Sequence, residues 1–349
     1  MREPARHIVV TGLAAISAAG VGLEPLLETV RSGSSALRPV PAEILGEDGH
    51  LWGRADGFKA GDFMPPLKAR KFDRCSLLAV AAAGMALRDA GIDLAACDPL
   101  RVGIVLGCGF GGIANSAEFL TGYFRSGVEG LAPMLFPNTV ANAPASNASI
   151  EHGLKGPNVT IVQRFCSAET AFHMACRFLA EDRADIVITG GVDELTPLML
   201  KGFRATGQLS RYARGMAEGT GLVVLEREAH ARQRGATVKG RVGAIRTVGL
   251  LLPGQEQAGI DLLLEGAATA GPVALSGTAD LLPQLVDRLP AGPRLNLSRL
   301  TGRSIAMGGL TMAALLLSLA PGQQGLQLAA SPEGPYFAID MQGGDPVQP

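Results

Sequence analysis

The sequence predicts a tightly layered α/β protein, and three observations lead there. Short β-branched apolar runs alternate with Ala- and Leu-rich helical stretches along the chain, the pattern of strands covered on both faces. Glycine makes up 46 of 349 residues, whereas Phe, Tyr and Trp together number 16, so the interior is expected to rest on Ala, Leu, Val and close backbone approaches. Hydrophobic residues are 47% and charged residues 18%, enough for a core that buries roughly 75% of the unfolded surface.

Taken in order, Ile8 to Thr11 reads as a buried strand running into a turn, with a helix near Leu26. Leu77 to Ala90 reads as helix and Val102 to Leu106 as strand. Val159 to Val162 is extended, Ser167 to Ala180 helical, and Asp185 to Thr189 and Gly221 to Leu225 extended. Val238 to Thr247 and Val273 to Leu275 follow as strands, then a helix from Ala306 to Leu319 and a strand from Leu326 to Ala329. No linker and no short-period repeat interrupts this series. Two parts, residues 1–236 and 237–349, are each long enough to carry a layered βα unit and are expected to form one compact body, with the second shortened.

Composition excludes several function classes. With 31 basic and 32 acidic side chains the net charge is −1, which disfavours nucleic acid as a partner. Cys75, Cys97, Cys108, Cys166 and Cys176 are widely spaced, with no CxxC pair and no His at ligand spacing, so neither zinc nor a disulfide framework is expected. The start of the chain mimics a signal peptide, but Thr11 and Gly12 break its apolar stretch. The longest apolar run, Ile305 to Ala320, contains Gly308, Gly309, Thr311 and Ser318 and is shorter than the ~18 to 20 residues that span a bilayer. A cytoplasmic protein with no membrane partner is the expectation.

Two local patterns carry weaker signals. Gly107, Gly109 and Gly112 spell GxGxxG between a strand and a helix, but no acidic ribose-binding residue ends a strand about 20 positions later, which favours a tight glycine turn over a dinucleotide site. Lys68, Arg70 and Lys71 form a small basic patch, either a solvated face or a dock for an acidic carrier protein.

Longer blocks are more specific. HIVVTGLAAIS near the start, FDRCSLLAVAAAGMALRDAGID at 72–93, RVGIVLGCGFGG at 101–112, GLKGPNVT at 153–160, ADIVITGGVDELTP at 184–197, EGTGLVVLE at 218–226 and TGRSIAMGG at 301–309 together resemble a β-ketoacyl synthase. The resemblance implies the thiolase fold, two similar halves stacked as αβαβα layers. It also implies a dimer acting on acyl chains held by the phosphopantetheine of an acyl carrier protein, with no cofactor bound directly.

Decarboxylative condensation needs a thiolate to hold the acyl group, two imidazoles for the developing enolate and backbone amides for the oxyanion. Aligning from Gly156-Pro157 forward and from Asp185 back puts the family's nucleophile on Phe165, one residue before Cys166. Ser276 stands where the first histidine is expected and Arg303 where the second is. The last histidine in the chain is His230, so the C-terminal half supplies no imidazole. ASPEGPYFAID replaces the family's Gly-Phe-Gly-Gly loop, and the loop between Ser210 and Glu218 is short.

Gly190 to Asp193 and Thr301-Gly302-Arg303 resemble the chain-length factors, the ketosynthase subunits of type II polyketide synthases that lack the triad; the aryl polyene type is a further relative by resemblance. Phe165 departs from the Gln those subunits often carry. The resemblance implies a heterodimer with a catalytic ketosynthase, in which the helix after Gly111-Gly112 closes the partner's acyl tunnel through Ile113, Ser116 and Leu120. Phe136, Pro137 and Asn138 fall on the segment that crosses toward the partner. The alternatives are a self-contained synthase using Cys166 as nucleophile, and a scaffold dimer that binds carriers without shaping product.

Overall fold

The alternating strands and helices assemble into two five-stranded sheets of the same order. The computed structural model describes residues 7–47, 49–212 and 215–345; the basic start of the chain and two residues of the shortened loop lie outside the described residues. The first sheet contains β1 (Ile8–Ser17), β2 (Val102–Cys108), β3 (Asn158–Ile161), β4 (Ile186–Asp193) and β5 (Gly219–Arg227), in the order β3-β2-β4-β5-β1. The second contains β6 (Gly240–Val248), β7 (Val273–Gly277), β8 (Arg294–Asn296), β9 (Gln324–Ala330) and β10 (Tyr336–Gly343), in the order β8-β7-β9-β10-β6. Pairing directions repeat as well. In each sheet the first strand is antiparallel to the fifth, the fifth antiparallel to the fourth, and the fourth and third parallel to the second. The sheets meet edge to edge where Val9 pairs with Arg241 and Val10 with Gly240.

Helices fill three layers around these sheets. Helices α1 (Arg74–Asp89) and α3 (Ala143–His152) cover the outer face of the first sheet, and α2 (Ile113–Ser126) projects from the end of β2. Between the sheets lie α4 (Ser167–Ala180) and α6 (Gly308–Ser318), while α5 (Glu256–Leu264) covers the outer face of the second. The layer sequence is therefore αβαβα. Helix α1 begins at Asp73, whose carboxylate accepts the Ser76 N–H at 3.0 Å as an N-cap. Its Ala79, Ala82, Ala83 and Ala86 are fully buried, so small side chains let it lie flat between the sheet and α3.

Helix α6 explains the longest apolar run: Gly308 to Leu316 are all buried, as expected of a helix that is apolar on every side and enclosed by two sheets. Among the described residues no helix is long and apolar enough to cross a membrane.

The middle layer also explains the glycine content. A Cβ on Gly107 would come within 2.4 Å of the Ala168 backbone nitrogen in the first turn of α4, whereas one on Gly202 would meet nothing within 4 Å. Gly107→Ala is expected to lose about 1–3 kcal/mol by overpacking, and Gly202→Ala to be neutral or to gain up to ~1 kcal/mol through helix propensity. Urea unfolding of the two variants checks the contrast.

Candidate functional site

The turn that leads into α4 brings Phe165, Ser276 and Arg303, the positions expected for the nucleophile and the two imidazoles, close together. Phe165 lies in a short 3-10 turn, Arg164–Cys166, entered through a left-handed Arg164 at φ 49°. Its ring packs on Tyr212 at 5.4 Å between centroids and shares a core cluster with Leu195, Met216 and Ile305. A Cβ on Gly277 would lie 3.0 Å from the Phe165 carbonyl oxygen, and Arg303 donates from Nη1 to the Gly277 carbonyl. Residues from both halves therefore converge at one point.

The point of convergence is closed. Phe165 is 1% exposed and Ser276 and Arg303 are each 3% exposed, so among the described residues these three side chains are almost wholly covered. The Arg303 guanidinium is committed: Nη2 donates to Asp280 Oδ1 at 2.9 Å and Oδ2 at 2.8 Å, and to Ser298 Oγ at 3.3 Å. The Ser276 hydroxyl donates to Glu169 Oε1. The four histidines with a recorded side-chain contact are engaged elsewhere, His152 with the Val80 carbonyl, His230 with Glu226, His50 with Glu47, and His173 edge-on against Phe337.

Cys166 caps the N-terminus of α4, a position that would ordinarily favour a thiolate. Burial and, secondarily, the Glu169 carboxyl instead push its thiol well above the usual range. Its Sγ donates to the Pro335 carbonyl at 3.2 Å. That carbonyl belongs to the turn standing where an oxyanion amide is expected, and the Ser331 and Gly334 N–H groups of the same turn bond within it. An acyl oxyanion beside Cys166 would thus face an acceptor where it needs donors.

The GxGxxG turn is also occupied by the protein itself. Gly109 N–H donates to Asp193 Oδ1 at 2.7 Å, and Ala306 N–H to Asp193 Oδ2 at 2.8 Å. A carboxylate fills the place where a dinucleotide phosphate would sit. Glu194, next in sequence, accepts the Ala114 N–H at 2.9 Å in the first turn of α2. Burial pushes both acids up to about 7, opposed by these amide bonds; Asp73 and Glu218 push Glu194 further.

Helix α2 contrasts with the closed site because it contains no buried residue. Ile113 and Ser116 are half-buried, and Leu120 is 50% exposed. Ser116 Oγ donates to the Gly112 carbonyl at 3.0 Å and the Thr139 carbonyl at 3.3 Å. Exposed Tyr123, Phe124, Val128, Met134 and Phe136 extend an apolar face from this helix, and the Phe136 ring packs tilted against Phe119, 5.8 Å between centroids. Pro137 is exposed, but Asn138 is turned inward, donating to the Lys71 carbonyl at 2.7 Å and accepting from Asn147 at 3.0 Å. Lys68, Arg70 and Lys71 are exposed at the approach to α1, with Lys68 paired to Glu151 at 2.6 Å.

Glu169 and Gln327, which link the two halves beneath Ser276, were not singled out by sequence reasoning. A signal was available for Glu169: it lies on the same helical stripe as Phe172 and Cys176, at i, i+3 and i+7, where an acidic residue interrupts an apolar face.

Because Glu194 gains its proton more readily in the folded state, its contribution to stability is full below its ordinary value of 4.5 and is lost as pH rises through about 7. Glu194→Gln is expected to flatten the fall in stability between pH 5 and 7.5 by up to about 3 kcal/mol, as measured by urea unfolding across that range. A slope unchanged from the parent protein contradicts the assignment.

Comparison with known proteins agrees with this architecture. Among solved structures, the ishigamide ketosynthase/chain length factor superposes with a TM-score of 0.83 at 23% identity, covering 97% of this chain and 99% of that one. A β-ketoacyl synthase from Burkholderia phymatum gives 0.81 at 19% identity, with the same coverage of both chains. The fold is the thiolase fold of the ketosynthases. By sequence, 3-oxoacyl-[acyl-carrier-protein] synthase 2 of Rhizobium meliloti is 31% identical over 68% of this chain and 63% of its own length. Its Vibrio cholerae counterpart is 28% identical over 75% of this chain and 69% of its own. The match thus spans under two thirds of the Rhizobium protein. The family model for the β-ketoacyl synthase N-terminal domain matches residues 5–231, which takes in all of β1 to β5 and the turn that carries Phe165. On that match the chain belongs to the β-ketoacyl synthase family.

Proposed function

We propose that this chain is a non-catalytic ketosynthase-like subunit, a chain-length factor that pairs with an active β-ketoacyl synthase and shapes its acyl tunnel during polyketide or polyene elongation. The observation that carries the reading is the closed convergence of Phe165, Ser276 and Arg303, at most 3% exposed and each committed to a partner inside the fold. A condensing enzyme needs a reachable nucleophile and two imidazoles there.

An inactive member of a dimeric family still acts through its surface. The face of α2 and residues 128–136 leaves Phe124, Val128, Met134 and Phe136 all more than half exposed, as an apolar interaction surface would, and β3 is an edge strand with its outer side unpaired. Both suit a tight subunit contact through Phe136 and Pro137, with Asn138 holding the segment from within. On this reading Ile113, Ser116 and Leu120 form the wall against which the partner's acyl chain ends. The exposed Lys68, Arg70 and Lys71 suit the acidic surface of an acyl carrier protein, whose phosphopantetheine delivers the chain. Two structural relatives support this assembly by what they are: one is a ketosynthase/chain length factor, and another is a type II polyketide ketosynthase bound to its acyl carrier protein, at a TM-score of 0.79 and 18% identity.

A second reading, a self-contained synthase using Cys166, draws on the curated relatives, which are synthases by name. The buried, raised thiol and the carbonyl facing it argue against it.

Ser116→Trp or Leu120→Trp is expected to shorten the product of the co-expressed pair, without separating the subunits, when products are resolved by mass. An unchanged product distribution in an intact complex contradicts the tunnel assignment. An acyl adduct on this chain that disappears in Cys166→Ala would establish the second reading.

A further inference from the structure

Beneath the closed site lies a buried acid that the proposed function does not use. Glu169, in the first turn of α4, and Gln327 on β9 are both 0% exposed, and Ser276 on β7 is 3% exposed. Glu169 Oε1 accepts from Ser276 Oγ and from Gln327 Nε2, the latter at 2.9 Å. The Gln327 amide also reaches the Gly308 carbonyl at 3.1 Å and Ser276 Oγ at 3.3 Å. The carboxyl rests against the first turn of α6 so closely that a Cβ on Gly308 would come within 2.1 Å of Oε1.

Two oxygens in this cluster have no partner, Glu169 Oε2 and Gln327 Oε1. Both are acceptors while the carboxyl is ionised, so neither can satisfy the other, and an unpaired buried polar atom costs ~1–3 kcal/mol. A proton on Oε2 supplies the donor that Gln327 Oε1 lacks, on a side chain already joined to Glu169 through Nε2. We propose that Glu169 is a neutral carboxylic acid in the folded protein, its Oε2–H donating to Gln327 Oε1 while Gln327 Nε2 donates to Oε1. This two-bond acid–amide clasp joins the two halves beneath the position of the lost imidazole.

The surroundings favour the neutral acid. Strands β7 and β9 and helix α6 carry no ionisable side chain. On α4 itself His173 stands one turn further on, edge-on against Phe337 and pushed toward its neutral form by burial, and Cys166 at the N-cap has its thiol held neutral. The one titratable residue of β4, Asp193, is bonded to the Gly109 and Ala306 amides. No cation enters the electrostatics of Glu169, and burial pushes its carboxyl up against the opposing bonds from Ser276 and Gln327. The clasp accordingly contributes full stability below the ordinary carboxyl value and weakens as pH rises through the raised one.

The inference is independent of the proposed function, and its failure leaves that reading untouched. The test is infrared spectroscopy of the full chain at pH 7, carrying Glu194→Gln to remove the other raised glutamate and labelled with 13C at glutamate carboxyls. A protonated-carboxyl C=O band that shifts with the label, and is lost on adding Glu169→Gln, is expected. Urea midpoints of Glu169→Gln are expected to equal the parent's at pH 6 and to exceed them at pH 9. If Glu169→Gln does not fold, the labelled band in the Glu194→Gln protein decides alone. Absence of that band at pH 7 overturns the proposal, as does a midpoint for Glu169→Gln that is equally lowered at every pH.

Discussion

The middle helix layer is the constraint on which the rest depends. Two sheets of identical order close over α4 and α6, and the first turns of these helices must meet without room for large side chains between them. Gly107, Gly277 and Gly308 allow that approach, because at each a Cβ would strike the opposing backbone or the Glu169 carboxyl. In a ketosynthase this junction is where nucleophile and imidazoles assemble. Here the same junction holds an aromatic contact, a buried Arg303–Asp280 pair and a carboxyl–amide cluster.

Closure at the centre is matched by openness at the edge. Helix α2 has no buried residue and keeps its place through two polar ties, Glu194 to its first turn and Ser116 to the Thr139 carbonyl, and through the contact of Phe119 with Phe136. Such a helix gains its packing when another surface covers it. Ile113 and Ser116 are half-buried and Leu120 is 50% exposed, less covered than a core position. A covered junction at the centre and an uncovered apolar face at the edge are the two features on which the proposed shaping role rests.

Much of this was legible in the sequence, for identifiable reasons. Helix α4 and strand β2 appear where apolar period and β-branched runs place them, because each is long and buried on the expected faces. Strand β8, only three residues of Arg-Leu-Asn, is too short to show any period. Strand β10 escaped notice because it follows a Pro- and Gly-rich turn, and its pairing with β6 and β9 is set by partners distant in sequence. Phe165, Ser276 and Arg303 were singled out from residue identities, and the fold brings them to one junction. The covering of that junction was not legible, since Asp280 and Tyr212 reach Arg303 and Phe165 only through the fold. Asn138 shows the same limit: its segment is exposed, and its side chain is not.

The most direct test of the central claim is native mass spectrometry of this chain co-expressed with an intact ketosynthase from the same gene cluster. A one-to-one heterodimer is the predicted result, with α2 and β3 covered by the partner. A homodimer of this chain that forms regardless of the ketosynthase would contradict the account.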